Sequence, residues 1–103
     1  MLDELLILKK IKGGDIKAFE ELFRRYYFPL CCYAAGITGQ MEVAEEIVEE
    51  LFYVLWKERE RLQIFQSVKS YLYRATRNQS LQYCEHEEVR NRYRETVLTT
   101  SNP

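Results

Sequence analysis

The feature that most constrains the fold is an uninterrupted helical pattern across residues 42–59. The stretch contains no Gly or Pro and is rich in Glu and Leu, which favour helix. At about 100° per residue, its apolar side chains fall on one stripe, with Phe52 and Trp56 on the flank. The predicted inner stripe comprises Ala44, Ile47, Val48, Leu51 and Leu55, with Val54 at its edge. The pattern therefore predicts an amphipathic helix that packs on a core.

The opposite side of this helix is acidic. Its members are Glu42, Glu46, Glu49, Glu50, Tyr53 and Lys57. Like charges four residues apart repel by a few tenths of a kcal/mol, so this arrangement is unusual for a solvated helix. A preference of acids for the helix N-terminus explains Glu42 and Glu45 but not Glu49 or Glu50. The other interpretation is a docking face for a basic partner, and the pattern alone leaves both open.

Two further helices are predicted before this one. A short amphipathic segment covers residues 2–12, with Leu2, Leu5, Leu6, Leu8 and Ile11 as its apolar members. Asp15 is a suitable N-cap for a second helix over residues 16 to about 36. Its inner stripe is predicted to comprise Phe19, Leu22, Phe23, Tyr26, Leu30 and Tyr33. Pro29 removes one backbone hydrogen bond inside this helix and predicts a kink. Residues 36–40 are the expected turn into the next helix.

After residue 59 the helical period is lost, and residues 60–66 are predicted to form a loop. Ser67 is a plausible N-cap for a last helix over residues 68 to about 88. Its predicted inner stripe comprises Val68, Leu72, Ala75, Gln79 and Tyr83. The chain thus predicts a small all-α bundle of three main helices plus a short N-terminal helix. Residues 1–89 would form the domain, and residues 90–103 a linker or frayed tail.

A second cluster lies on the last helix, because residues 66–84 contain no acid. Tyr71, Arg74, Asn78 and Gln82 share a face, and Lys69 and Arg77 add positive charge. Aromatic rings stack on unpaired bases, amides read base edges, and basic side chains pair with phosphates. The alternative is an ordinary basic outer face with half-buried tyrosines.

Composition narrows the class of function. The net charge of −1 argues against bulk electrostatic binding of nucleic acid, so any such contact must come from a local patch. The sequence has no apolar run of membrane-spanning length and no evident signal peptide, so a cytoplasmic location is expected. Cys31, Cys32 and Cys84 have neither disulfide-framework nor metal-site spacing. With His86 as the sole histidine, no enzyme activity, cofactor or metal is expected.

Four ordered blocks carry a family resemblance: residues 18–27 (AFEELFRRYY), 44–52 (AEEIVEELF), 55–56 (LW) and 70–78 (SYLYRATRN). Together they resemble bacterial RNA polymerase sigma factors of the extracytoplasmic-function type. The part resembled is the N-terminal core-binding and promoter-melting domain, sigma-70 region 2. The resemblance implies a transcription initiation factor without covalent chemistry.

The resemblance also implies partners and site residues. The acidic helix would dock on the clamp helices of the polymerase β′ subunit, through Glu46, Glu49, Glu50, Tyr53 and Trp56. The loop before the last helix and that helix itself would capture flipped bases of the nontemplate promoter strand at the minus-ten element. The matching positions are Tyr71, Arg74, Asn78 and Gln82, with Lys69 and Arg77 toward phosphates. An anti-sigma factor that covers these faces is a further partner that the family allows.

The sequence also departs from the family. The family often has Gln at position 49, and Phe28 separates the paired tyrosines from Pro29. Glu85, Glu87 and Glu88 stand where relatives are commonly basic, which would weaken DNA affinity. Sigma factors of this type carry a second helix-turn-helix domain that nothing in this sequence matches, so the chain would be either a truncated form or a reduced relative. The alternative function is therefore a sigma-like protein-interaction module without DNA binding.

Overall fold

The computed structural model describes residues 2–63 and 67–100. Within these ranges the chain forms four α-helices: α1 (Leu2–Lys12), α2 (Ile16–Thr38), α3 (Met41–Lys57) and α4 (Val68–Thr100). One turn of 3-10 helix, Arg59–Arg61, follows α3, and the described residues contain no strand. The predicted all-α bundle of three main helices plus a short one is confirmed. Residues 64–66 of the predicted loop lie outside the described residues.

Helix α2 is bounded by two local signals. The Asp15 carboxylate accepts hydrogen bonds from the backbone N–H groups of Lys17 (3.0 Å) and Ala18 (3.3 Å), which confirms the predicted N-cap. Gly39 ends the helix at φ 77°, and its N–H donates to the Ala35 carbonyl. The helix thus ends at Thr38, about two residues beyond its predicted end, where Gly39 takes the left-handed conformation. Pro29 lies inside this continuous helix, and the predicted kink there stays a prediction.

The core is formed by all four helices, and its aromatic cluster lies between α2 and α3. Phe52 is 1% exposed, so its predicted place on the flank of α3 is wrong. The reason is an aromatic cluster on α2: the Phe52 ring centroid lies 5.0 Å from that of Phe23 and 6.1 Å from that of Phe19. Burying Phe52 against these rings leaves Ile47 and Leu51 only half-buried.

The apolar residues of α1 divide between the core and the solvent. Ile7 and Ile11 are buried, whereas Leu5 and Leu6 are more than half exposed. Glu4 explains the rotation of this helix. Its carboxylate accepts a hydrogen bond from the Tyr26 hydroxyl and pairs with Arg25 at 3.3 Å. Glu4, Ile7 and Ile11 share one helical face, so this polar anchor turns the isoleucines inward.

On α4 the buried stripe runs through Val68, Leu72, Thr76 and Ser80, at intervals of four residues. The predicted stripe was wrong in its second half, because Gln79 is exposed and Ala75 and Tyr83 are only half-buried. Burial of Thr76 is feasible because its hydroxyl donates to the Leu72 carbonyl at 2.8 Å.

Helix α4 begins where the sequence predicts, but it ends later than predicted. The Ser67 hydroxyl accepts from the Ser70 N–H at 3.0 Å, as predicted for an N-cap. The helix does not end near Glu88 but continues to Thr100, across the proposed boundary at residue 89. From Glu88 to Leu98 every side chain is exposed, so this part of the helix extends beyond the bundle. The division into a domain and a tail stays a prediction.

Candidate interaction surfaces

The outward side of α3 forms the first candidate site. We define the acidic surface as Glu42, Glu46, Glu49, Glu50 and Tyr53. All five side chains are exposed, as predicted, and Tyr53 is 60% exposed. Within residues 2–63 and 67–100, none of the four glutamates forms an ion pair. Their mutual repulsion is therefore not relieved by a cation of the described chain.

The acidic surface stands on a closely packed base. On the opposite side of α3, Ala44, Val48, Phe52 and Leu55 are at most 3% exposed. Packed interiors of this kind have little free volume and resist deformation. The glutamates therefore project from a helix that the core holds in position.

Trp56 lies beside the acidic surface instead of within it. It is half-buried, and its ring centroid lies 5.1 Å from that of Phe19. The Arg59 guanidinium sits over the indole at 4.3 Å and donates to the Trp56 carbonyl at 2.9 Å. The cation and the ring thus stabilise each other at the C-terminal end of α3.

Two grooves flank the acidic surface, and sequence reasoning predicted neither. The α3–α4 groove has a volume of about 400 Å³ and is lined by Val43, Glu46, Ile47, Glu50, Leu51, Val54, Gln79 and Tyr83. The α2–α3 groove, of about 300 Å³, is lined by Ile16, Phe19, Phe23, Glu49, Phe52, Tyr53 and Trp56. Glu46 and Glu50 therefore border one groove, and Glu49 borders the other. One sequence signal could have predicted these grooves: α3 has more apolar residues than one buried stripe can hold.

Two groups between α2 and α3 have raised pKa values. Burial raises the pKa of Tyr27 to about 12, helped by its hydrogen bond with Cys31 and by the negative charges of Glu49 and Glu45. Burial also raises the pKa of the Cys31 thiol. All three cysteines are free, with Cys31 buried, Cys32 exposed and Cys84 half-buried.

The outward side of α4 forms the second candidate site. We define the aromatic–basic surface as Lys69, Tyr71, Arg74, Arg77, Asn78 and Gln82. All six side chains are exposed, and none forms an ion pair or side-chain hydrogen bond with another described residue. Their donors and the Tyr71 ring are therefore available to a partner.

Helical spacing brings four of these residues together. Tyr71, Arg74, Asn78 and Gln82 follow at intervals of three or four residues, which places them on one side of α4. Arg77 lies next to Arg74 around the helix, whereas Lys69 lies about 140° away from it. The loop residue Phe65, which precedes this surface in the sequence, lies outside the described residues.

Neighbouring tyrosines on α4 have a different environment. Tyr73 is half-buried, with its ring centroid 5.1 Å from that of Tyr33 on α2. Tyr83 lines the α3–α4 groove. These two rings support the helix packing, so Tyr71 is the aromatic member of the outward face between residues 67 and 84.

The described residues form neither a metal site nor a membrane span. Across the described part of the chain, no three His, Cys, Asp or Glu side chains come together as a metal site would require. None of the described helices has the length and apolar character needed to cross a membrane.

Comparison with known proteins identifies the family. The family model for sigma-70 region 2 matches residues 22–89, about two thirds of the chain. A solved structure, the NMR structure of an engineered region 2 of sigmaE in complex with GTAAAA, has the same fold. It aligns with a TM-score of 0.72 at 21% identity, covering 84% of this chain and 90% of that one. No curated protein sequence matches the chain significantly.

Region 2 is the part of a sigma factor that binds core RNA polymerase and melts the minus-ten promoter element. It is a transcription-factor family and not a catalytic one. The two outward surfaces described above lie within the matched residues. The chain belongs to the sigma-70 region 2 family of transcription initiation factors.

Proposed function

We propose that this domain acts as region 2 of an extracytoplasmic-function sigma factor, with its two surfaces serving two partners. Within the acidic surface, the side chains that bind the clamp helices of the polymerase β′ subunit, together with Trp56, are Glu46, Glu49, Glu50 and Tyr53. The aromatic–basic surface captures the nontemplate strand at the minus-ten element. The observation that carries the proposal is the presence of two exposed surfaces of opposite charge, without ion-pair partners in the described chain, on consecutive helices.

Electrostatics supports the polymerase role of α3. The glutamates repel one another in the free domain, and a basic partner would replace that repulsion by attraction. Tyr53 and Trp56 supply aromatic area, which is enriched at protein interfaces. Because the packed core holds α3, docking would need little rearrangement of its backbone.

The chemistry of α4 supports the DNA role. The structurally similar sigmaE region 2 was solved in complex with GTAAAA. In this chain Tyr71 would stack on an unpaired base, and the Asn78 and Gln82 amides would read base edges. Arg74, Arg77 and Lys69 would contact phosphates. Unstacking a base costs a few kcal/mol, which these contacts and polymerase binding must offset.

Two features of the chain limit the DNA affinity of this surface. Glu85 and Glu88 are exposed just beyond Gln82, so negative charge lies at one end of the aromatic–basic surface. The whole chain has a net charge of −1. We therefore expect weak DNA binding by the isolated domain and stronger binding once polymerase holds it near the promoter.

The polymerase role is tested by titrating purified bacterial core polymerase with the domain across a salt series. We expect salt-sensitive binding that the double variant Glu46→Lys/Glu49→Lys weakens at least tenfold. The matched control is Glu20→Lys/Glu60→Lys, which makes the same charge change at exposed positions outside the acidic surface. Equal affinity of both double variants, or no binding by the folded wild-type domain at low salt, would refute this role.

The DNA role is tested separately in promoter-dependent transcription and with a single-stranded GTAAAA oligonucleotide. Arg74→Glu/Arg77→Glu should abolish promoter opening while polymerase binding persists, and Tyr71→Ala should lose the ~1–3 kcal/mol of one stacked base. Lys10→Glu/Lys12→Glu on α1 is the control for charge alone. If opening survives the first variant, the domain is instead a sigma-like interaction module without DNA binding.

The same proposal covers location and inhibition. A factor that works with bacterial polymerase acts in the cytoplasm, so we place the domain there. An anti-sigma factor would be expected to cover the acidic surface, and the apolar walls of its two flanking grooves would accept apolar side chains of such an inhibitor.

A further inference from the structure

The C-terminal part of α4 carries an exposed apolar stripe. We call residues 89–100 of this helix the arm. Val89, Tyr93 and Val97 are 60%, 71% and 43% exposed. Their spacing of four residues places them on one side of the helix. An apolar stripe of this kind normally faces another protein surface.

Two arginines run beside this stripe. Arg90 and Arg94 each follow a stripe residue by one position, so both lie on the same flank. Arg90 is exposed and pairs with the half-buried Glu87 at 3.0 Å, and an ion pair at the surface contributes little. Arg94 forms no ion pair with another residue of the described ranges. The arm thus offers an apolar stripe with a basic edge.

The α3–α4 groove has the complementary pattern. Its walls include Val43, Ile47 and Val54, and Val54 is 43% exposed. Glu46 and Glu50 stand at its solvent edge, four residues apart. Arg90 and Arg94 have the same spacing, about 6 Å along the helix axis. The apolar stripe of the arm therefore matches the apolar walls of the groove, and the basic edge of the arm matches the acidic edge of the groove.

The arm cannot reach the groove of its own chain. Gln79 and Tyr83, which line the groove, belong to the same continuous helix as the arm. From Val89 onward α4 carries the stripe away from the groove by about 1.5 Å per residue. Folding back would require breaking α4. We propose that the arm of one copy occupies the α3–α4 groove of a second copy, and reciprocally, to form a dimer.

This dimer would cover Glu46 and Glu50, which are also proposed polymerase contacts. Dimerisation and polymerase binding would then exclude each other, so the dimer would be a storage form of the domain. The inference does not depend on the polymerase role, and the experiment below contains no polymerase.

The test is a charge exchange followed by sedimentation velocity and light scattering on the whole 103-residue chain. The groove variant is Glu46→Lys/Glu50→Lys, and the arm variant is Arg90→Glu/Arg94→Glu. We expect the wild type to dimerise with rising concentration and each variant alone to be at least tenfold weaker. An equimolar mixture of the two variants should recover the dimer, because both interfaces of the mixed pair then join opposite charges.

Arg92→Glu is the matched control, since Arg92 lies on the other side of the arm and pairs with Glu88. It should dimerise like the wild type, and circular dichroism confirms that every variant is folded. A wild-type chain that stays monomeric at concentrations on the order of 1 mM would overturn the proposal. So would variants that dimerise alone as well as the wild type, or a mixture that stays monomeric.

Discussion

Helices α3 and α4 each turn one polar side to solvent and bury the other, but they are anchored differently. Beneath the acidic surface, α3 buries Phe52 in a cluster of aromatic rings from α2. Beneath the aromatic–basic surface, α4 buries Val68 and Leu72 and then the small hydroxyl side chains Thr76 and Ser80. Hydrophobic stabilisation scales with buried apolar area, so α4 gains less from Thr76 and Ser80 than α3 gains from Phe52 and Leu55.

This difference implies that the two surfaces differ in local stability. The α3 surface rests on large apolar side chains and should resist local opening. The α4 surface depends more on hydrogen bonds, such as the Ser67 cap and the Thr76 bond to the Leu72 carbonyl. We therefore expect α4 to open locally before α3 does, which hydrogen exchange would detect as earlier loss of protection.

The largest test of the comparison is Phe52→Ala. Removing a fully buried aromatic ring should lower the free energy of unfolding by ~3–5 kcal/mol, because a cavity remains between α2 and α3. Urea unfolding followed by circular dichroism measures this change. Tyr53→Ala is the control one residue away, exposed on the same helix, and should change stability by less than about 0.5 kcal/mol. Similar losses for both variants would contradict the assigned core.

An intermediate effect on stability is expected when the pH is raised. It comes from Tyr26 on α2, not from α4. Burial, the hydrogen bond to Glu4 and the Glu4 charge raise the pKa of Tyr26 to about 12, above the ordinary value of 10.0. Because the folded-state pKa is the higher one, this stabilisation is complete below pH 10 and is lost as the pH rises toward 12.

Tyr26→Phe checks this dependence. The variant lacks the bond to Glu4 and should be less stable at neutral pH by ~1–2 kcal/mol, but should lose less further stability between pH 10 and 12. Urea midpoints measured at pH 8, 10 and 11.5 would show it. Tyr93→Phe, at an exposed position on α4, should behave like the wild type. If Tyr26→Phe lost as much stability between pH 10 and 11.5 as the wild type, Tyr26 would not be the source of the pH dependence.

The smallest changes in stability are expected from removing two hydroxyl groups at or in α4. Ser67→Ala removes the N-cap and should destabilise the protein by ~1 kcal/mol. Ser80→Ala deletes the same group from a buried site where, within the described chain, the hydroxyl has no hydrogen-bond partner. That change should be neutral or slightly stabilising, because it removes an unsatisfied polar atom. Thermal unfolding of the two variants measures the difference, and the reverse order would contradict this view of the anchoring of α4.

The outward surfaces were predictable from the sequence, whereas the inward faces were predicted only in part. Glu46, Glu49 and Glu50 are exposed as expected, because a charged side chain stays in water unless it is paired. The sequence of one helix was not enough to decide which of its apolar side chains enter the core. Phe52 was predicted on a flank, Ile7 was missed and Gln79 was predicted inside, since each assignment depends on what the facing helix presents.

By itself, the sequence determined where the helices begin and which sides face solvent, together with a family resemblance that the family model confirms. Capping groups such as Asp15 and Ser67 and rows of charge act over one or two helical turns, so they can be identified without a partner helix. The tertiary structure alone decided the rotation of α1 through Glu4, the burial of Phe52 and the two grooves beside the acidic surface. These features depend on packing between residues far apart in the chain, where shape and hydrogen-bond geometry select among similar apolar side chains.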